Sequence, residues 1–187
     1  MTRRTMQQLS YGITHPVDLL EKLKHDASKL TRTPNPYDVF NFVVTAAVLN
    51  EWCSQFYKNH SFASQIWKAK EKKDFNLLPK ETEEWIVERD CLPNKYCDTR
   101  RHIMNAMCIC WDTANASKHY HWVSTSEVVA IEPEPIVTDY YQYFHTSVEP
   151  DLYIDYAGEC YGLMQLREII LQFYKGFFSS VIDANVT

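Results

Sequence analysis

Between Asn35 and Tyr57 the chain reads NPYDVFNFVVTAAVLNEWCSQFY, and no other stretch constrains the fold as strongly. Asn35 is a good helix N-cap, Pro36 suits the first helical position, and Asp38 places a negative charge in the first turn. A helix is therefore predicted over about 36–57. Its central run, FNFVVTAAVLNEW (40–52), is apolar nearly all the way round. A helix without a polar face is stable in water only when other elements surround it. Much of the rest of the chain must wrap around this segment.

Candidates for that wrapping are plain. Thr14 as cap and Pro16 open a segment in which Leu19, Leu20, Leu23, Ala27 and Leu30 recur at helical spacing. Ser61 can cap a third helix with Phe62, Ile66 and Trp67 facing inward and lysines outward. Pro79 opens a short acidic helix carrying Trp85, which ends before Pro93. Asp98 caps a long helix to about His119, with Ile103, Met104, Ala106, Met107, Ile109, Cys110, Trp111 and Ala114 over most of its circumference, so it too is expected to be central. After His121 the periodicity changes. Trp122–Ile131, Ile136–His145 and Asp151–Tyr156 are rich in Val, Ile, Tyr and Thr, are punctuated by EPEP and EP, and read as strands. Ala157-Gly158 is the expected hairpin turn into Glu159–Tyr161. Met164 to about Ile182 then sets Leu166, Ile169, Ile170, Phe173, Phe177 and Val181 on one face. The expected fold class is α+β, mainly α: a bundle of about five helices (14–121), a small antiparallel β-ribbon (122–162) and a closing C-terminal helix (163–183), all in one domain over the 187 residues.

Composition excludes several function classes. Four glycines cannot build the phosphate loops of nucleotide-hydrolysing or dinucleotide-binding folds. Neither G-x-S-x-G nor H-E-x-x-H occurs. The net charge of −5 is uneven: residues 1–126 hold 17 Lys and Arg against 14 Asp and Glu, whereas residues 127–187 hold 2 against 10. That balance argues against nucleic acid as a partner, and the acidic ribbon suits a basic protein partner instead. The lysines at 58, 68, 70, 72, 73 and 80 read as a solvated face. No apolar run approaches the ~20 residues of a membrane span, and a soluble, cytoplasmic protein is expected. Its six cysteines then read as reduced, mostly packed thiols. Their spacing suits no zinc site, since Cys108 and Cys110 point about 200° apart on a helix, so neither metal nor cofactor is expected.

Two polar seams stand out on the central helices. On the long helix Arg101, Asn105, Cys108, Asp112, Asn115 and His119 fall near one line; on the helix over 36–57, Asp38, Asn41 and Thr45 lie about a turn apart. The stripe either faces solvent, satisfies itself, or meets the second seam. In the last case Asn41, Thr45, Asn115, Arg101 and Asn105 would be ligand-binding residues in a pocket, with Lys118 at the rim. Were the site catalytic, His119 would be general acid or base, Asp112 would orient its imidazole, and Lys118 would stabilise developing charge.

The pairing of FNFVVTAAVLNEW (40–52) with WDTANASKHYHW (111–122), followed by a ribbon and a last helix, resembles an uncharacterised group of small bacterial proteins of mobile elements. The helical part is similar to the HEPN superfamily, helical bundles of toxins, defence systems and RNA-processing factors. In HEPN ribonucleases an Arg, a neighbouring polar residue and a His four to six positions later form the active site, usually across a dimer. Here only His119 matches that motif, and Arg101 stands eighteen residues before it. The resemblance implies a possible homodimer. The function expected is a non-catalytic binding or regulatory module of the antitoxin, immunity or defence kind, the alternative being a metal-independent HEPN-like ribonuclease.

Overall fold

A computed structural model describes residues 12–31, 35–119, 129–131 and 153–183. Over these residues the protein is α+β and mainly helical. Five α-helices are present: α1 (Pro16–Lys29), α2 (Pro36–Phe56), α3 (Ser61–Lys72), α4 (Thr99–His119) and α5 (Leu163–Asp183). Three strands, β1 (Val129–Ile131), β2 (Tyr153–Tyr156) and β3 (Glu159–Gly162), form one antiparallel sheet in the order β1-β2-β3. The strand expected over 136–145 and the first part of the one over 122–131 lie outside the described residues.

Helix starts follow local chemistry with two adjustments. Asn35 caps α2 as expected, its side-chain oxygen accepting the Tyr37 N–H at 2.9 Å. The α1 cap is His15 rather than Thr14: the imidazole Nδ1 accepts the Val17 N–H at 3.1 Å, and the Asp18 carboxylate accepts the N–H groups of both Thr14 and His15. His60 likewise precedes Ser61 at the start of α3, with Nδ1 facing the Ala63 N–H. A neutral imidazole nitrogen can accept where Ser, Thr, Asp and Asn ordinarily do. Asp98 caps α4 through the Arg100 N–H at 2.9 Å. The segment after Pro79 is a 3₁₀ helix over Lys80–Trp85 rather than an α-helix.

The core sits where α2, α4 and α5 meet, built on Phe42, Leu49, Ile103, Met107, Ile109, Phe173 and Phe177. All six apolar residues expected on the inner face of the closing helix are buried. Burying such side chains contributes roughly 1.5–3 kcal/mol each. Further bonds fasten α5: the Tyr174 hydroxyl donates to the Ala46 carbonyl at 3.1 Å, and Gln172 Oε1 accepts from the backbone N–H groups of Val87 and Glu88. At Gly176 the Trp85 side chain lies so close that a Cβ there would stand 2.2 Å from its Cγ. α2 is only partly enclosed, because Tyr37, Phe40 and Asn41 near its start are exposed among the described residues.

The β2-β3 hairpin turns on Ala157-Gly158, both in the left-handed region (φ 52° and 76°), with Tyr156 paired to Glu159. Two residues at positive φ give the turn that matches strand twist. Ile154, Tyr156 and Tyr161 face the helices.

Candidate ligand cleft and the fate of the polar seams

α2 and α4 pack directly, but their polar seams do not meet. Thr45 is buried toward α1, where its hydroxyl donates to Asp26 Oδ2 at 2.7 Å and accepts from Lys22 Nζ at 2.6 Å. Asp26 is itself buried and paired with Lys22. A carboxylate inside an interface needs partners, and Thr45 is the polar group α2 supplies to it. Asn41 is exposed. Neither Asn41 nor Thr45 hydrogen-bonds to Asp112 or Asn115, so no pocket forms where the two seams were expected to meet; packing around α2 decides which neighbour each seam faces.

The α4 stripe divides along its length. At its start, Arg101 Nη2 donates to the Ala157 carbonyl at 3.1 Å, and the Glu159 carboxylate lies 4.0 Å from its Nη1. Asn105 Nδ2 donates to the Tyr161 hydroxyl at 2.9 Å, so both residues anchor the ribbon instead of lining a pocket. His102, which the stripe did not include, completes this anchor. Its Nε2 lies 2.9 Å from the Asn94 carbonyl, which only accepts, so Nε2 carries the proton and Nδ1 accepts the Tyr161 O–H at 2.9 Å. Burial pushes the Tyr161 phenol well above its ordinary value, which keeps it a donor. Asn115 is half-buried. Lys118 and His119 belong to the last turn of α4, and their side chains lie outside the described residues. Eighteen residues of helix separate Arg101 from His119 by about 27 Å at 1.5 Å per residue, so the two cannot share a site within one chain.

Asp112, in contrast, lines a cleft of about 710 Å³ between the C-terminal half of α2, the face of α3 and the middle of α4. Lys73, at the C-terminus of α3 with φ 51°, lies 3.4 Å from Asp112 Oδ2. Lys70 is half-buried, with Nζ 3.6 Å from the centre of the Trp111 ring, a cation–π contact. Burial holds the Lys70 ammonium below the ordinary lysine value, against the pull of Cys108, Asp112 and Glu51. Cys108 at the back of the cleft has its thiol pushed up, first by burial, so it stays protonated and weakly nucleophilic. Two polar groups in the wall lack partners. The Trp67 Nε1–H is buried with none, and the Asn50 carboxamide, 4% exposed, makes no hydrogen bond among the described residues.

Of the two polar seams, the structure brings Asp112 and Cys108 to this cleft. Asn50, Trp67, Lys70 and Trp111 come from stretches that read as core or as solvated lysine face. Asn50, a second asparagine in a largely apolar helical run, was the available signal. Among the described residues no helix is long and apolar enough to cross a membrane, and no three His, Cys, Asp or Glu side chains gather as metal ligands. No protein-family model, curated protein or solved structure matches the chain.

Proposed function

We propose that this protein is a non-catalytic binding module, of the antitoxin, immunity or defence-related kind, acting in the cytoplasm and using the α2/α3/α4 cleft as its ligand site. The observation that carries this reading is Asn50. Its amide makes no hydrogen bond among the described residues and keeps a little accessible surface where Asn50 lines the cleft, so a ligand seated there can hydrogen-bond to it. The chemistry nearby favours holding over reacting. Cys108 is kept in its thiol form, and Lys70 is stacked on an aromatic ring. The acidic stretch 127–187 supplies a complementary surface for a basic protein partner.

The test is a thermal-shift screen of small metabolites on the wild-type protein and on Asn50→Leu. At least one compound is expected to raise the wild-type Tm and to lose its effect in the variant, whose ligand-free Tm is unchanged or higher. If Asn50→Leu instead lowers the ligand-free Tm by several degrees and no compound acts, Asn50 is a structural residue and the reading fails. RNA cleavage by the purified protein, lost on His119→Ala, would replace it with the ribonuclease alternative.

A further inference from the structure

Resting on that binding reading, we infer that the cleft takes a small zwitterion, an α-amino acid or a compound with the same head group, its carboxylate on Lys70 and Asn50 and its ammonium toward Asp112 and Glu51.

Lys70 and Asn50 bring unpaired donors to the cleft lining. Lys70 forms no ion pair among the described residues; its cation rests on the Trp111 ring alone. The Asn50 amide adds two further N–H groups and makes no hydrogen bond among the described residues. A carboxylate, with about four acceptor positions on two oxygens, offers acceptors to both residues. The same lining also carries carboxylates. The Asp112 side chain is only 16% exposed, and its one ion-pair partner among the described residues is the mobile-stemmed Lys73 at 3.4 Å, whose side chain is 57% exposed. Glu51 and Glu71 add two more carboxylates to the lining.

Charge decides between ligand classes. The lining holds two lysines and three carboxylates, a net of −1. A phosphate dianion would gain Lys70 but meet repulsion from Asp112, Glu51 and Glu71, while a simple amine would leave Lys70 and Asn50 unsatisfied. A zwitterion places each pole opposite its complement, and like-charge juxtaposition of the kind it avoids weighs heavily in specificity. The cleft volume of about 710 Å³ leaves room for a side chain against Trp67 and Trp111.

The experiment is calorimetric titration of the purified protein at neutral pH with the twenty L-amino acids. For any that binds, the measurement is repeated with the analogue lacking the amine, with the analogue lacking the carboxylate, and with inorganic phosphate. Removing either charge is expected to weaken binding at least tenfold, and phosphate to bind no better than the single-charge analogues. Lys70→Met, which keeps the apolar stem on Trp111, and Asp112→Asn, which removes only a long ion pair, should each weaken binding tenfold or more; circular dichroism reports that each is folded. Equal affinity for a single-charge analogue, a preference for phosphate, or binding indifferent to both variants overturns the zwitterion assignment. If no amino acid binds while another metabolite shows Asn50-dependent binding, this inference fails and the binding reading stands. If no compound of any class binds, the binding reading fails as well.

Discussion

Replacing Tyr161 by Phe removes one oxygen and breaks two hydrogen bonds inside the structure. The ring is fully buried, its hydroxyl donates to His102 Nδ1 and accepts from Asn105 Nδ2, both at 2.9 Å, and His102 is itself fully buried. The lost oxygen leaves too little space for water, so the imidazole nitrogen and the carboxamide are both stranded. Each stranded group costs roughly 1–3 kcal/mol, and allowing for relaxation at Asn105 the sum is about 3 kcal/mol. For a chain of this size each kcal/mol moves Tm by about 2–4 °C, so a loss of about 6–12 °C follows. The matched control is Tyr174→Phe. Its hydroxyl also donates while buried, but to Ala46 O, a helix carbonyl able to accept a backbone bond as well, so nothing is stranded and about 1 kcal/mol is expected. Urea denaturation of the two variants in parallel checks the difference. A Tyr161→Phe protein within about 0.5 kcal/mol of wild type, or no worse than Tyr174→Phe, would show that the ribbon is not anchored through this hydroxyl.

Two further outcomes follow from the packing and the thiols. Gly176→Ala improves intrinsic helix propensity by about 1 kcal/mol yet sets a Cβ 2.2 Å from the Trp85 ring; a net destabilisation of about 1–3 kcal/mol is expected, and an unchanged or raised Tm would refute the close approach. Burial pushes the thiols of Cys110 and Cys91 up to about 12 and about 11 from an ordinary value near 9. Their contribution is thus fully present below pH 9 and lost as pH rises toward those values, at up to about 1.4 kcal/mol per pH unit for each thiol. Urea melts at pH 7, 9 and 10.5 under reductant should show stability falling only above pH 9, and a flat profile would contradict this.

Much of the scaffold could be read from residue order because its signals are local. The Asn35-Pro36 start, the Asp98 cap, the two-residue turn at Ala157-Gly158 and the apolar stripe from Leu166 to Val181 each depend on neighbours a few positions away. The histidine caps were missed by one residue because an imidazole rarely serves there. The seams were misassigned for a different reason. α2 is apolar nearly all round, so its sequence carries no information about azimuth, and only the placement of α1 turns Thr45 toward Asp26 and away from Asp112. The cleft was hidden for the same reason. Lys70 looks like its exposed neighbours Lys68 and Lys72, and what distinguishes it is the Trp111 ring forty-one residues later.

The fastening of α5 also bears on how the protein is made. Tyr174 reaches back 128 positions to Ala46, Arg167 reaches 137 positions to Leu30, and Phe173 and Phe177 fill the space between helices synthesised long before them. On a ribosome, α1 to α4 emerge before α5, and the apolar positions that pack against it wait for its synthesis. Closure of the core waits on late, sequence-distant contacts, which slows folding through the loop entropy they require. Until then the nascent chain presents the greasy surface that hydrophobic-binding chaperones recognise.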